Sequence, residues 1–116
     1  MYEGKVILTF HSKKKAKERM GIPHRALQKN AENAFLYGLS RYESVGRLRD
    51  YLDKIYFKTR KANNLRVYNR FVYIFAGKTL ITVLHVPKEL VPSAYSQQKK
   101  KEKLLMEDID IWTTKL

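Results

Sequence analysis

A chain of 116 residues that is 44% hydrophobic and 12% aromatic is long enough to bury one apolar core and too apolar for the disordered class. The absence of cysteine excludes disulfides and thiolate metal sites, and apolar runs such as Leu80-Ile81-Thr82-Val83-Leu84 are too short to span a bilayer, so a cytoplasmic protein without membrane attachment is expected. Lys and Arg number 24 against 11 Asp and Glu, a net charge of +13; self-repulsion of that size works against a compact fold, whereas a phosphate-bearing partner neutralises it, which points to nucleic acid.

In chain order, Gly4–Phe10 is short, β-branched and apolar, and reads as a strand ending at His11-Ser12. Ser12 is placed to cap a helix through Met20, with Gly21 as its stop. Lys13, Lys14 and Lys15 then occupy the first turn, where the helix dipole disfavours cations, so the cluster invites a functional explanation. Pro23 opens a second helix, with Leu27, Ala31, Ala34 and Phe35 on one face and Gly38 closing it. Val45, Leu48, Leu52 and Ile55 recur at steps of three and four, giving a third helix through about Lys58 with an Asp50–Lys54 pair. Its other side carries Arg47, Lys54 and Lys58, and Arg60 and Lys61 follow.

Beyond Asn63-Asn64 the pattern alternates over Leu65–Tyr68, Phe71–Ala76 and Thr79–Val86, with Asn69-Arg70 and Gly77-Lys78 as two-residue turns. This predicts a three-stranded antiparallel meander, ended by Pro87 and Pro92. The lysine-rich stretch from Gln97 to Lys103 runs into Leu104, Leu105, Met106 and Ile109, a last helix. The expected architecture is a single α+β domain over residues 1–95, with an N-terminal strand and about three helices packed on the meander. Residues 96–116 form a helical tail that turns from basic to amphipathic. Residues 1–60 carry 14 basic and 6 acidic side chains, 61–98 carry 5 and 1, and 99–116 carry 5 and 4. The charge therefore belongs to the folded body.

Two-residue turns pair Leu65 with Ile74, Arg66 with Tyr73 and Val67 with Val72, then Ile74 with Ile81, Tyr73 with Thr82 and Val72 with Val83. One sheet face becomes Leu65, Val67, Val72, Ile74, Ile81 and Val83, followed by His85, and forms the core. The other shows Tyr68, Phe71, Phe75, Leu80 and Leu84 around a row of Arg66, Tyr73 and Thr82. Exposed, such a face stacks unpaired bases; covered by the C-terminal helix, it is second-face packing.

The five glycines are isolated, which gives no phosphate-binding loop. His11, His24 and His85 lack metal-ligand spacing, so neither metal nor cofactor is expected. The acidic cluster Glu107-Asp108-Asp110 reads as surface, and so does His24. What remains chemically open is metal-independent RNA cleavage, with a base at the 2′-hydroxyl, a cation at the phosphate and an acid at the leaving oxygen. His11, Arg66, Tyr73, Thr82 and His85 are the catalytic candidates by residue type, with Lys15 and Arg19 one and two turns after His11.

A strand ending in Phe10-His11-Ser12, a basic helix with Lys17-Glu18-Arg19-Met20-Gly21, further helices, and a meander ending Leu80-Ile81-Thr82-Val83 resemble small phage- and plasmid-associated basic proteins, and distantly the RelE and BrnT type ribonuclease-toxin fold, over roughly residues 5–91. The resemblance implies a curved antiparallel sheet packed by N-terminal helices, RNA-facing cations and a toxin or antidefence setting. His11, Arg19 and Thr82 match its polar markers, whereas a full toxin set of catalytic residues is not evident. The expected function is RNA-directed binding through Lys13, Lys14, Lys15, Lys17 and Arg19, the cations Arg47, Lys54, Lys58, Arg60 and Lys61, and Arg66, with cleavage secondary. The alternative is a phage-type inhibitor, such as an anti-CRISPR, gripping a host protein or ribonucleoprotein without catalysis. A homodimer through the aromatic face is a third reading.

Overall fold

The structure is a computed structural model describing the backbone of residues 5–59 and 61–115 and the side chains of 5–59 and 61–106. The first apolar run yields a strand of two residues, β1 (Ile7–Leu8), because Thr9 starts a helix earlier than Ser12 would. Thr9 Oγ1 accepts from the Ser12 N–H at 3.0 Å and Ser12 Oγ accepts from the Thr9 N–H at 3.0 Å, a reciprocal capping box. Helix α1 therefore spans Phe10–Met20, closed by Gly21 at φ 68°. The expected strand through Phe10 is corrected accordingly, and Ser12 is the buried third helical residue rather than the cap.

Helix α2 (His24–Tyr37) buries Leu27, Ala31 and Ala34, and α3 (Gly46–Lys58) buries Leu48 and Leu52, as their apolar spacing predicts. On α3 the ion pairs that form join Asp53 to Arg41 at 2.8 Å and to Arg49 at 3.9 Å, in place of the expected Asp50–Lys54 pair.

Strands β3 (Asn64–Tyr68), β4 (Phe71–Ala76) and β5 (Thr79–His85) form the meander, but the sheet has five strands. β1 adds parallel to β5, and β2 (Leu39–Ser40) adds antiparallel to β3, giving the order β1-β5-β4-β3-β2. The β3–β4 register is the predicted one, Leu65 to Ile74 through Tyr68 to Phe71. Between β4 and β5 it slips: Phe75 faces Leu80 while Ile74 faces Thr82, so Ile81 is the extra residue of a β-bulge. Past the bulge the faces exchange, and Val83 joins Tyr73, Phe75 and Leu80 while Leu84 joins Val72 and Ile74.

Both faces are covered. Helices α1 and α2 lie on the Tyr73, Phe75, Leu80 and Val83 face, where Ala16, Leu27, Ala31 and Ala34 are fully buried. Leu48 and Leu52 of α3 pack on the Leu65, Val67, Val72 and Ile74 face. A single 3₁₀ turn (Lys88–Leu90) leads into α4 (Val91–Lys115). The expectation that the last helix covers the Arg66–Tyr73–Thr82 row is overturned: Leu90 and Ala94 are buried in the α3-side cluster. The bulge causes this, because it turns Val86 to that side and the chain leaves the sheet there. Gln97, Gln98 and Lys101 of α4 hydrogen bond to Val45, Asn69 and Gly38, tying the helix to the body. Among the described residues, no helix is long and apolar enough to cross a membrane.

Candidate nucleic-acid interface

The capping box sets the helical phase of α1. With Ser12 and Ala16 turned into the core, Phe10, Lys13, Lys14 and Lys17 at steps of i, i+3, i+4 and i+7 share the outer face, and all four are exposed, Phe10 by 84%. The short Gly21–Pro23 link folds α2 back beside α1. A shallow groove of about 670 Å³ forms at this junction, between Phe10, Lys13 and Lys17 on one wall and Ile22, Pro23 and His24 on the other. It adjoins a second depression of about 550 Å³, which shares Lys13 and His24 and adds Arg25, Lys29 and the carboxylate of Glu32 from α2. None of Lys13, Lys14, Lys17, Arg25 and Lys29 is in an ion pair among the described residues, whereas Lys15 is paired with Glu18 at 3.3 Å. Lys13 and Lys14 stand near the positive end of the α1 dipole, and no acidic residue occupies its first turn; an anion docked there relieves both the mutual repulsion and the dipole conflict.

Several expected site residues serve other ends. Arg19 donates from Nη1 to the Val83 carbonyl at 2.6 Å and to Thr82 Oγ1 at 3.3 Å. The structure thus joins two of the three polar markers, as a clamp of α1 on β5. Arg66 Nη1 donates to the Gly38 carbonyl at 3.1 Å and Nε to Asn64 Oδ1 at 3.0 Å, which closes the end of α2. His11 is exposed on α1. His85, also exposed, rests its ring 4.9 Å from that of Phe71, and its carbonyl accepts from the Tyr51 hydroxyl.

Tyr73 is 1% exposed, beneath the helices that cover its face, so its place in a phosphate-contacting row is corrected to core packing. Burial, helped by Tyr68, holds its hydroxyl well above the usual phenol range. A phenol whose folded pKa is raised contributes stability that is complete below its unfolded pKa, about 10, and is lost as pH climbs from there towards the folded value. Tyr51 is raised by burial too and adds to the same limb. Urea midpoints measured at pH 8 and pH 11 are expected to fall with alkali in the natural sequence and to fall less in Tyr73→Phe.

Arg47, Lys54, Lys58 and Lys61 are exposed, but α3 lies across the sheet from α1 and α2, so the cations grouped from the sequence fall on two separate surfaces. Arg60 and the side chains of Glu107, Asp108, Ile109 and Asp110 lie outside the described residues. On the α3 side Arg41 is held by Asp53 and sits 3.9 Å from the Tyr56 ring centroid and 4.7 Å from that of Tyr42. The hydrogen bond to Asp53 raises its pKa further, keeping it cationic. Nearby, Lys101 reaches Glu43 at 2.9 Å. Partial burial pushes the Glu43 carboxyl up, but hydrogen bonds from Lys101 and Ser40 and the Lys101 charge outweigh it and hold the carboxyl below its ordinary value.

Arg25 and Lys29 were not singled out by the sequence reasoning, nor was Phe10, which read as the end of a strand. Their signal was the i, i+4 spacing of Arg25 and Lys29 beside the buried Leu27 and Ala31. The chain matches no protein-family model, no curated protein and no solved structure.

Proposed function

We propose that this protein binds nucleic acid, RNA in preference to DNA, through the cationic groove where α1 meets α2, and that it does so in the cytoplasm without a cofactor. One observation carries the reading: five exposed cations, Lys13, Lys14, Lys17, Arg25 and Lys29, line two adjoining depressions, and none of them is in an ion pair among the described residues. Five cations against the one lining carboxylate, Glu32, which accepts from the Val6 N–H and Gln28 Nε2, fit a ligand that brings several phosphates at once. The exposed Phe10 ring beside them offers a base a stacking surface. The resemblance to the RelE and BrnT type fold adds support to the same reading, since it implies RNA-facing cations. Cleavage has weaker support, because Tyr73 is sealed in the core while Arg66 and Arg19 are engaged within the fold.

The test is retention of labelled single-stranded RNA, duplex RNA and DNA across a salt series, with cleavage scored in the same tubes. Affinity that falls steeply with salt is expected, and binding indifferent to salt would remove the proposal.

A second reading has its own observation. Tyr42 and Phe57 are 74% and 71% exposed around the stacked Arg41, and aromatic-plus-arginine patches are typical anchors of protein interfaces. A phage-type inhibitor gripping a host protein would use this side. Co-purification with a defined host complex, in salt that strips bare RNA, favours it over the first.

A further inference from the structure

At the other end of α2, a groove of about 580 Å³ opens between the last turn of that helix, the β3–β4 turn and α4. Three tyrosines line it: Tyr37, 63% exposed, Tyr95, 44% exposed, and Tyr68, half-buried with its ring edge-on to Tyr73 at 6.4 Å. Asn69 stands at the turn with φ 58°, a left-handed conformation that asparagine tolerates better than most residues. Gln98 fixes that turn from both sides: its Oε1 accepts from the Asn69 N–H at 2.7 Å and its Nε2 donates to the Asn69 carbonyl at 2.8 Å. The Asn69 backbone is thereby committed, and among the described residues no hydrogen bond engages its carboxamide, which brings one donor group and one acceptor to the groove. Lys99 adds a cation that is in no ion pair among the described residues.

We infer that this tyrosine-walled groove is a pocket for an unpaired nucleobase. Tyr37 and Tyr95 supply the stacking surface, the Asn69 carboxamide meets the base edge, and Lys99 takes a flanking phosphate. The inference rests on the nucleic-acid reading above, and adds to it that the strand is single. The sheet aromatics that would have formed such a platform, Tyr73 and Phe75, are in the core; these tyrosines, from α2 and α4, stand in the solvent. Charge favours this occupant over a second copy of the chain: Lys99, with its neighbours Lys100 and Lys103, outnumbers the one carboxylate in the groove lining, Glu102, so a self-associating surface would bring together more like charge than opposite charge.

The experiment uses the full chain, a short single-stranded RNA carrying one 2-aminopurine, and the duplex of the same sequence. Both tyrosines are exposed, so the double variant Tyr37→Ala/Tyr95→Ala keeps its fold, checked by an unchanged melting curve. Expected is a loss of about tenfold to a hundredfold in single-strand affinity, disappearance of the 2-aminopurine quenching, unchanged duplex affinity, and recovery in Tyr37→Phe/Tyr95→Phe. Equal losses on strand and duplex, or quenching that survives the alanines, overturns the base pocket while leaving the α1–α2 groove standing. A change in mass by light scattering caused by the alanines also overturns it, and makes the groove a subunit interface. If the natural sequence binds neither RNA, both this inference and the proposal it rests on fall.

Discussion

Replacing Lys13, Lys14 and Lys17 together by alanine is expected to weaken single-stranded RNA binding by about 500-fold at 50 mM salt and about 50-fold at 150 mM, with the difference vanishing near 1 M. The figures follow from counterion release. Three lost phosphate contacts, at about 0.7 per contact on a single strand, lower the slope of log K against log salt by about 2. The fold is expected to survive, because the three side chains are exposed and unpaired and their removal relieves repulsion at the start of α1. A matched variant on the opposite side of the sheet, Arg47, Lys54 and Lys58 to alanine, removes the same charge from α3. Retained binding there, measured by the same salt series, locates the interface at α1 and α2. Equal loss from both sets means that RNA follows the overall charge of +13 and recognises no particular groove.

The lysine cluster was legible in the sequence because cations in the first turn of a helix are locally unfavourable, and a residue pattern that costs stability stands out. The β3–β4 pairing was legible for a comparable reason: a two-residue turn at Asn69-Arg70 leaves one register, and the observed pairs are the predicted ones. Elsewhere the deciding information is not local. The N-terminal strand was legible in its apolar, β-branched run, but its shortening to two residues was not; the two-residue β2 has no alternation to read, and exists because β3 offers it an edge. Nothing in Thr79–His85 announces a bulge at Ile81, yet that one residue moves Val83 across the sheet and sends α4 to the α3 side. Whether the row of Tyr73 and Arg66 faces solvent stayed open through the same gap, since a sheet face is exposed or buried according to which helices land on it. Tyr37 and Tyr95 are 58 residues apart and share a groove only once α2 and α4 have docked.

Gly38→Ala is expected to cost about 3 kcal/mol, the upper part of the range for overpacking, and to lower the melting temperature by about 12 °C for a chain of this length. The reason is close approach, since Gly38 has an ordinary extended backbone at φ −64° and ψ 155°. A Cβ there would lie 2.4 Å from the Ala34 carbonyl oxygen and 2.9 Å from Arg66 Cβ. Neither neighbour is a flexible chain end that swings aside, so the last turn of α2 has to move away from β3. Its carbonyl accepts from both Arg66 Nη1 at 3.1 Å and Lys101 Nζ at 2.9 Å, so the displacement strains the junction of α2, β3 and α4 at once. Gly21→Ala is the control: it sits at φ 68° with nothing within 4 Å of the added carbon, so backbone strain alone is expected, about 1 kcal/mol and about 4 °C. Calorimetric melts of the two variants that differ by less than a few degrees would show that the end of α2 yields freely. The groove walled by Tyr37 and Tyr95 would then lack a rigid frame, and its selectivity for an unpaired base would be lost with it.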